Sequence, residues 1–228
     1  MPKPDRVALL IGSPRGEHST SNSLGRYFCE RLKTYRITYQ TQYLCRSIHS
    51  EKDQMSVLQL IDNSDLIVLS FPLYVDSLPS QVIKFLELIA DHEKKRQSQE
   101  KKYFIAIVNS GFPEASQNEI ALSICRLFAK QVGFIWLGGL AKGGGEMIAG
   151  RPLDEFGGEL RFQKKALDLA ANAVAKGESI TEEAVIFMGT LGYPRWLYTF
   201  IGNRGWKQQI KKYMSMNKIY NQPFKRNK

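Results

Sequence analysis

The stretch that decides the fold runs from Val7 to Asn22: the apolar run VALLI (Val7–Ile11) is followed by GSPRGEHSTSN (Gly12–Asn22). The first part favours a buried strand, the second indicates a loop, and a helical pattern begins near Ser23. Such a junction presents unpaired backbone N–H groups at the positive end of a helix dipole. Because hydroxyls and an arginine add donors, the junction favours a phosphorylated cofactor; a well-capped, solvated loop is the alternative.

Four further apolar runs predict strands, near 37–44, 66–71, 103–108 and 134–140. Helical periodicities lie between them, and near-continuous apolar strands alternating with helices are typical of a parallel sheet covered on both faces. Right-handed crossovers leave few topologies. The sequence therefore predicts an α/β fold, a three-layer doubly wound sheet of five parallel strands.

The loops after the third and fourth predicted strands, Pro72–Pro79 and Asn109–Asn118, are unusual for plain connectors. In a doubly wound sheet, ligands bind at the carboxyl ends of the strands, near the point where the strand order reverses. The first loop offers a rigid apolar platform for a flat aromatic ligand, and the second combines a glycine with polar groups that suit the edge of a ring. An ordinary turn packed on its own helix is the alternative for each loop.

The length of 228 residues allows one α/β domain and an appendage. No apolar run approaches the roughly 18 residues of a membrane span, and Met1–Asp5 leads into a strand without the apolar region of a secretory signal, so we expect a cytoplasmic protein. Cys29, Cys45 and Cys125 are scattered, without a C-x-x-C pair or a histidine cluster, which argues against a disulfide framework and a metal site.

The segment after the fifth predicted strand contains a triple glycine, Gly143–Gly145. A flexible linker and a close contact with a ligand are both compatible with it. A long amphipathic helix near 159–176 then completes the domain. We therefore predict a domain at 1–178 and an extension at 179–228.

Three segments in order resemble a known family: Gly12-Ser13-Pro14-Arg15 with Ser19-Thr20-Ser21, Pro72-Leu73-Tyr74 with Leu78-Pro79, and Asn109-Ser110-Gly111-Phe112-Pro113-Glu114. At these strand–helix junctions they are similar to the flavodoxin-like NAD(P)H-dependent FMN reductases, over roughly the first 175 residues. The resemblance implies a flavodoxin-like strand order of 2-1-3-4-5. The chain departs from the small reductases of this family from about Thr181 onward, where we expect a C-terminal helical extension. It also implies FMN as the cofactor, with NADPH or NADH as co-substrate.

The resemblance further implies which residues bind FMN. The phosphate group would be held by Ser13, Arg15, Ser19, Ser21 and Asn22. The ring would lie against two loops, which contribute Pro72, Leu73, Tyr74, Val75 and Asp76 from the first and Asn109, Ser110, Gly111, Phe112 and Glu114 from the second. No catalytic acid–base residue is implied, since the cofactor carries the hydride chemistry.

The activity implied by the resemblance is transfer of a hydride from NAD(P)H and of electrons to a small acceptor: a flavin, a quinone, an azo or nitro compound, or a metal ion. A homodimer is implied as well. Two other functions stay open. One is a flavodoxin-type electron carrier, although such carriers are typically acidic and this chain has a net charge of +10. The other is a scaffold protein that has lost the flavin.

The extension interleaves aromatic and basic residues and contains no Asp or Glu after Glu183. Three interpretations compete: a helical segment that packs on the domain or on a second subunit, a peripheral contact with an anionic membrane, and a nucleic-acid-binding tail. The absence of a recognised module argues against nucleic acid.

Overall fold

The computed structural model describes residues 3–96 and 100–213. Its strands are β1 (Arg6–Ile11), β2 (Thr38–Tyr43), β3 (Leu66–Pro72), β4 (Tyr103–Asn109) and β5 (Ile135–Lys142). Its helices are α1 (Thr20–Lys33), α2 (Leu44–Ser47), α3 (Glu51–Asp62), α4 (Ser80–Arg96), α5 (Glu119–Val132), α6 (Arg161–Ala175), α7 (Glu182–Gly189) and α8 (Arg195–Tyr213).

The strands form one parallel sheet in the order β2-β1-β3-β4-β5, which confirms the predicted doubly wound, flavodoxin-like architecture. In the register of the sheet, Leu9 of β1 lies opposite Thr41 of β2 and Val68 of β3. The chain moves outward from β1 to β2 and then returns to β3 on the other side. The order therefore reverses between β1 and β3, and their carboxyl ends mark the expected ligand-binding edge.

Two apolar cores cover the two faces of the sheet, because successive side chains of a strand point to opposite faces. Leu9 belongs to the cluster that includes residues of α1 and α6, whereas Leu10 belongs to the cluster that includes residues of α3, α4 and α5. Helix α1 lies very close to the sheet: a Cβ on Gly25 would stand 2.8 Å from Leu9 Cδ1. This close packing fixes the position of the α1 N-terminus at the edge of the sheet.

Helix α1 begins at Thr20, ahead of the predicted start near Ser23. The cause is Ser19, whose backbone is extended and whose Oγ accepts a hydrogen bond from the Asn22 amide at 3.1 Å. A serine at this position satisfies one of the first amides of a helix and defines its start. The polar segment read as loop thus contributes the first turn of the helix.

The chain divides into two compact units, between Gly192 and Tyr193. Helix α7 lies beyond residue 178, the end of the domain in the sequence analysis, and it packs against α6 and β5 within the first unit. Helix α8 belongs to the second unit. Residues 214–228 of the predicted extension lie outside the described residues. Over the part that is described, no helix is both long enough and apolar enough to cross a membrane.

Candidate functional site

A cleft of about 130 Å³ opens at the carboxyl edge of the sheet, where the loops after β1, β3 and β4 meet. Most of the predicted site residues line it, together with two that were not predicted. The lining residues are Ser13, Arg15, Ser19, Thr20, Ser21, Pro72, Leu73, Tyr74, Asn109, Ser110, Gly111 and Glu146.

The loop after β1 turns tightly ahead of the helix. The Gly16 amide donates to the Ser13 carbonyl at 3.0 Å, and Gly16 has a φ of 54°, a left-handed conformation that glycine adopts without strain. The Ser13 hydroxyl is buried, while Arg15 is exposed, and no carboxylate among the described residues forms an ion pair with its guanidinium. The loop therefore brings a hydroxyl and an unpaired cation to the cleft.

Three polar side chains at the start of α1 bond within the protein. Ser19 Oγ donates to the Gly16 carbonyl at 2.6 Å, Ser21 Oγ donates to Asn109 Oδ1 at 2.7 Å, and Asn22 Nδ2 donates to the Glu17 carbonyl at 2.9 Å. These bonds hold the loop after β1 against α1 and against the end of β4. The amides of Thr20 and Ser21 belong to the first turn and have no acceptor within the helix, so they add donors to the cleft.

The loop after β3 is anchored by the Leu73 amide, which donates to the Asn109 carbonyl at 2.8 Å. Tyr74 and Ser77 then exchange two backbone hydrogen bonds and close a tight turn. Its central residues, Val75 and Asp76, have φ values of 49° and 58°. A left-handed conformation is costly for a β-branched residue, and Val75 is 97% exposed, so no burial of its side chain offsets the strain. Strain of this kind concentrates at ligand-binding segments.

The loop after β4 is joined to the end of β5. The Ser110 amide donates to the Lys142 carbonyl at 3.0 Å, and Asn118 Nδ2 donates to Ser110 Oγ at 3.2 Å. Phe112 is exposed, and its carbonyl accepts from the Gly144 amide at 2.6 Å. The polar groups of Asn109 and Ser110 are therefore held in place by neighbouring strands before any ligand binds.

The triple glycine makes close contacts with the protein. A Cβ on Gly143 would stand 2.3 Å from the Pro113 carbonyl oxygen, so only glycine fits against the loop after β4. The Gly145 amide donates to the Ser110 carbonyl, and the Gly145 carbonyl accepts from Thr20 Oγ1, both at 2.8 Å. Glu146, which follows directly, reaches the cleft. The sequence feature that could have indicated Glu146 is the triple glycine directly before it. Thr20 is part of the Gly12–Asn22 motif but was not among the predicted binding residues.

Five predicted residues do not line the cleft: Asn22, Val75, Asp76, Phe112 and Glu114. Asn22 lines a different groove, of about 650 Å³, between α1 and residues 150–154. The other four belong to the two loops whose neighbouring residues form the cleft wall. The structure therefore brings together the start of the loop after β1 and the bases of the loops after β3 and β4.

Lys142 ends β5 beside Asn109 and is only 2% exposed. Its Nζ donates to the Gly143 carbonyl. Burial lowers the pKa of Lys142 from an ordinary 10.5 to about 8, because a low-polarity environment disfavours the ammonium form. A buried amine thus lies on the strand next to Asn109, directly opposite this residue of the cleft.

Solved structures share this fold at low sequence identity. One is an NAD(P)H:quinone oxidoreductase from Methanothermobacter marburgensis: identity is 17%, the TM-score is 0.54, and the match covers 79% of this chain and 99% of the other. Another is an FMN-dependent NADH-azoreductase from Bacillus anthracis in complex with FMN: identity is 12%, the TM-score is 0.53, and 75% and 99% of the two chains are covered. These likenesses establish the fold.

A WrbA-like flavodoxin from Agrobacterium tumefaciens is similar as well, with 18% identity, a TM-score of 0.52 and coverage of 77% of this chain and 99% of the other. A search of curated protein sequences gives no match. The model of the Flavodoxin_2 family, described as a flavodoxin-like fold, matches residues 5–140, from the start of β1 to near the end of β5. The chain belongs to this family of flavodoxin-like proteins.

Proposed function

We propose that the protein is an FMN-dependent oxidoreductase that takes a hydride from NADPH or NADH and passes electrons to a small acceptor. The observation that carries this proposal is the cleft itself, in which Ser13 and Arg15 of the loop after β1 meet Pro72–Tyr74 and Asn109–Gly111. The residues proposed for the phosphate and those proposed for the ring thus lie at one edge of the sheet. Structures of the same fold are named for quinone and azo reduction, and quinones and azo compounds are the acceptors we favour.

The donor set at the α1 N-terminus fits the phosphate group of FMN. We assign the phosphate to Ser13 Oγ, the Arg15 guanidinium and the Thr20 and Ser21 amides. Ser13 Oγ accepts from the Arg15 amide at 3.3 Å and keeps its O–H to donate, and the two amides have no acceptor within the helix. Ser19 and Asn22 act by shaping the loop, since their side chains bond to Gly16 and Glu17. Ser21 also shapes the loop, because its Oγ donates to Asn109 Oδ1, and its backbone amide donates to the phosphate.

The two remaining loops fit an aromatic ring. Pro72, Leu73 and Tyr74 offer an apolar wall, and Asn109 and Ser110 offer polar groups for the ring edge. A Cβ on Gly111 would meet nothing nearer than Glu146 at 3.7 Å, so space remains for close approach of the ring. We further propose that Val75, Asp76, Phe112 and Glu114 contact the ring from the outer parts of these loops.

Bound FMN supplies the hydride and electron chemistry. The residues of this chain orient the ring, shield one of its faces and leave the other accessible to the nicotinamide. No acid–base residue is required for these tasks. We propose a cytoplasmic location, where NADPH and NADH are available as reductants.

A homodimer is part of this proposal. Phe112 follows β4, and Ile120 and Leu127 lie on α5; all three are exposed, and Ile124 between them is half-buried. The three α5 residues form an apolar stripe on one face of the helix, and Phe112 directly follows Gly111 of the cleft. We propose that a second copy covers this stripe and completes the wall of the FMN site.

The decisive experiment is an FMN titration of the full chain followed by anaerobic addition of NADPH or NADH. We expect retained flavin absorbance that bleaches with one of the two reductants. The Ser13→Ala/Arg15→Ala variant should bind FMN more weakly by over ~1 kcal/mol, because it loses charge-assisted hydrogen bonds to the phosphate. Arg126→Ala, an exposed arginine on α5, serves as the control.

The outcomes separate the candidate functions. Retention of FMN without bleaching by either reductant would indicate an electron carrier instead of an enzyme. Failure to retain FMN would contradict the proposal and favour the scaffold function. An unchanged affinity in the Ser13→Ala/Arg15→Ala variant would remove the phosphate assignment alone.

A further inference from the structure

The positive charge of this protein is concentrated in its C-terminal part. Nine of its 32 Lys and Arg residues follow Glu183, and none of its 22 Asp and Glu residues does. The first 183 residues are therefore close to neutral, with 23 basic and 22 acidic side chains. The net charge of +10 is thus almost entirely a property of the last 45 residues.

Helix α8 within this segment exposes large aromatic side chains to solvent. Trp196 is 70% exposed, Phe200 61% and Trp206 60%. Two of the three tryptophans of the protein thus lie on one helix with most of their surface accessible. Exposed aromatic rings at this density indicate a surface that contacts a partner.

Aromatic and basic residues share one face of α8. Trp196, Phe200, Arg204, Lys207 and Lys211 follow one another at spacings of three and four residues, which places them on one side of a helix. All five are exposed. The aromatic pair lies in the first turns and the three cations follow, so the face presents rings and charges side by side.

We propose that α8 binds the surface of an anionic lipid bilayer through this face, with Trp196 and Phe200 at the level of the headgroups and the three cations near the lipid phosphates. Tryptophan prefers this interfacial region, and cations near an anionic surface strengthen the binding. No described helix is suited to span the membrane, so α8 lies on the surface.

The absence of acidic residues favours a membrane over an acidic protein partner. A protein partner requires complementary charge only on the contact face, whereas an extended anionic surface repels any carboxylate within about 10 Å. The 45 residues after Glu183 contain no Asp or Glu at any position. The exposed indole and phenyl rings favour lipid over a nucleic acid duplex, whose polar backbone gives them no apolar environment.

The test uses the full-length protein and vesicles of phosphatidylcholine, either alone or with roughly one third phosphatidylglycerol. We expect sedimentation with the anionic vesicles only, and a blue shift of the tryptophan emission as the rings leave water. In the Lys207→Gln/Lys211→Gln variant, binding should weaken about 25-fold, since each basic residue contributes about fivefold. Trp196→Ser/Phe200→Ser should weaken binding as well.

Lys94→Gln/Lys95→Gln is the matched control, because it removes the same charge from two exposed residues at the end of α4. Its binding should stay within about twofold of the unaltered protein. The proposal is overturned by no binding to anionic vesicles, by equal binding to neutral vesicles, by equal losses in the control, or by tighter binding to a single-stranded oligonucleotide. None of these measurements involves flavin, so the result is independent of the proposed enzymatic function.

Discussion

Lys142 places an amine in an environment that disfavours its charged form. An ammonium group with 2% exposure and a pKa near 8 is destabilising at neutral pH. The only acceptor that the described residues give its Nζ is the Gly143 carbonyl. Its position beside Asn109 suits a group that adds positive potential to the cleft.

The pKa of Lys142 predicts a dependence of stability on pH. Between about 8 and the ordinary value of 10.5, the unfolded chain binds more protons at this residue than the folded one. The free energy of unfolding should therefore rise with pH across this window, by about 3 kcal/mol from this group. Urea unfolding of the protein and of Lys142→Met at several pH values isolates the contribution as the difference between the two.

At pH 7, Lys142→Met should be more stable than the unaltered protein by about 2 kcal/mol, because it removes a buried charge. The loss of the hydrogen bond to the Gly143 carbonyl offsets part of the gain. Lys130→Met, at an exposed position on α5, should change stability little. Equal stability of the unaltered protein and Lys142→Met at every pH would contradict the buried-ammonium interpretation.

Val75 offers a second prediction for a single residue. Val75→Asn should raise the free energy of unfolding by about 1 kcal/mol, since asparagine adopts a φ of 49° with less strain than valine. Thermal unfolding measures the gain. Val185→Asn, at an exposed valine within α7, should give none. If Val75 contacts the ring of FMN as proposed, Val75→Asn should also weaken FMN binding.

Among the elements, α1 links the fold to the site most directly. Its N-terminus carries the donors for phosphate, and its packing against β1 through Gly25 holds that terminus at the sheet edge. Ser19 joins both roles, because its Oγ accepts from the Asn22 amide and donates to the Gly16 carbonyl. The start of α1 and the shape of the loop before it therefore depend on one hydroxyl.

Ser19→Ala should lower the free energy of unfolding by about 1 kcal/mol and weaken FMN binding about tenfold. Ser50→Ala is the matched control, since Ser50 Oγ caps α3 by accepting from the Asp53 amide at 3.4 Å. That variant should lose comparable stability and retain FMN affinity. Equal loss of affinity in both variants would show that the effect reflects general destabilisation.

At the scale of the whole molecule, charge is unevenly distributed: the first 183 residues are nearly neutral and the last 45 are strongly basic. This difference indicates that the two parts have different partners. The neutral part carries Phe112 and the apolar stripe of α5, which suit a second copy because like charges do not oppose association. The basic part suits an anionic surface.

The homodimer gives a prediction at this scale. Ile120→Lys/Leu127→Lys should shift the protein from dimer to monomer in light scattering, since two charges would be buried without partners. Met55→Lys, which alters an exposed residue of α3, should leave the dimer intact. A protein that is monomeric before any substitution would contradict the proposed dimer, and a dimer unaffected by the double substitution would move the interface elsewhere.

The sequence by itself determined the five strands, the parallel architecture and the three loops, because apolar runs and the residues that interrupt them are local properties of the chain. Tertiary structure decided what no local pattern contains. Glu146 reaches the cleft because the triple glycine before it packs against the loop after β4. Asn22 lines another groove because α1 turns its side chain away from the cleft. The bond from Ser21 to Asn109, like the burial of Lys142, depends on residues distant in sequence that the sheet brings together.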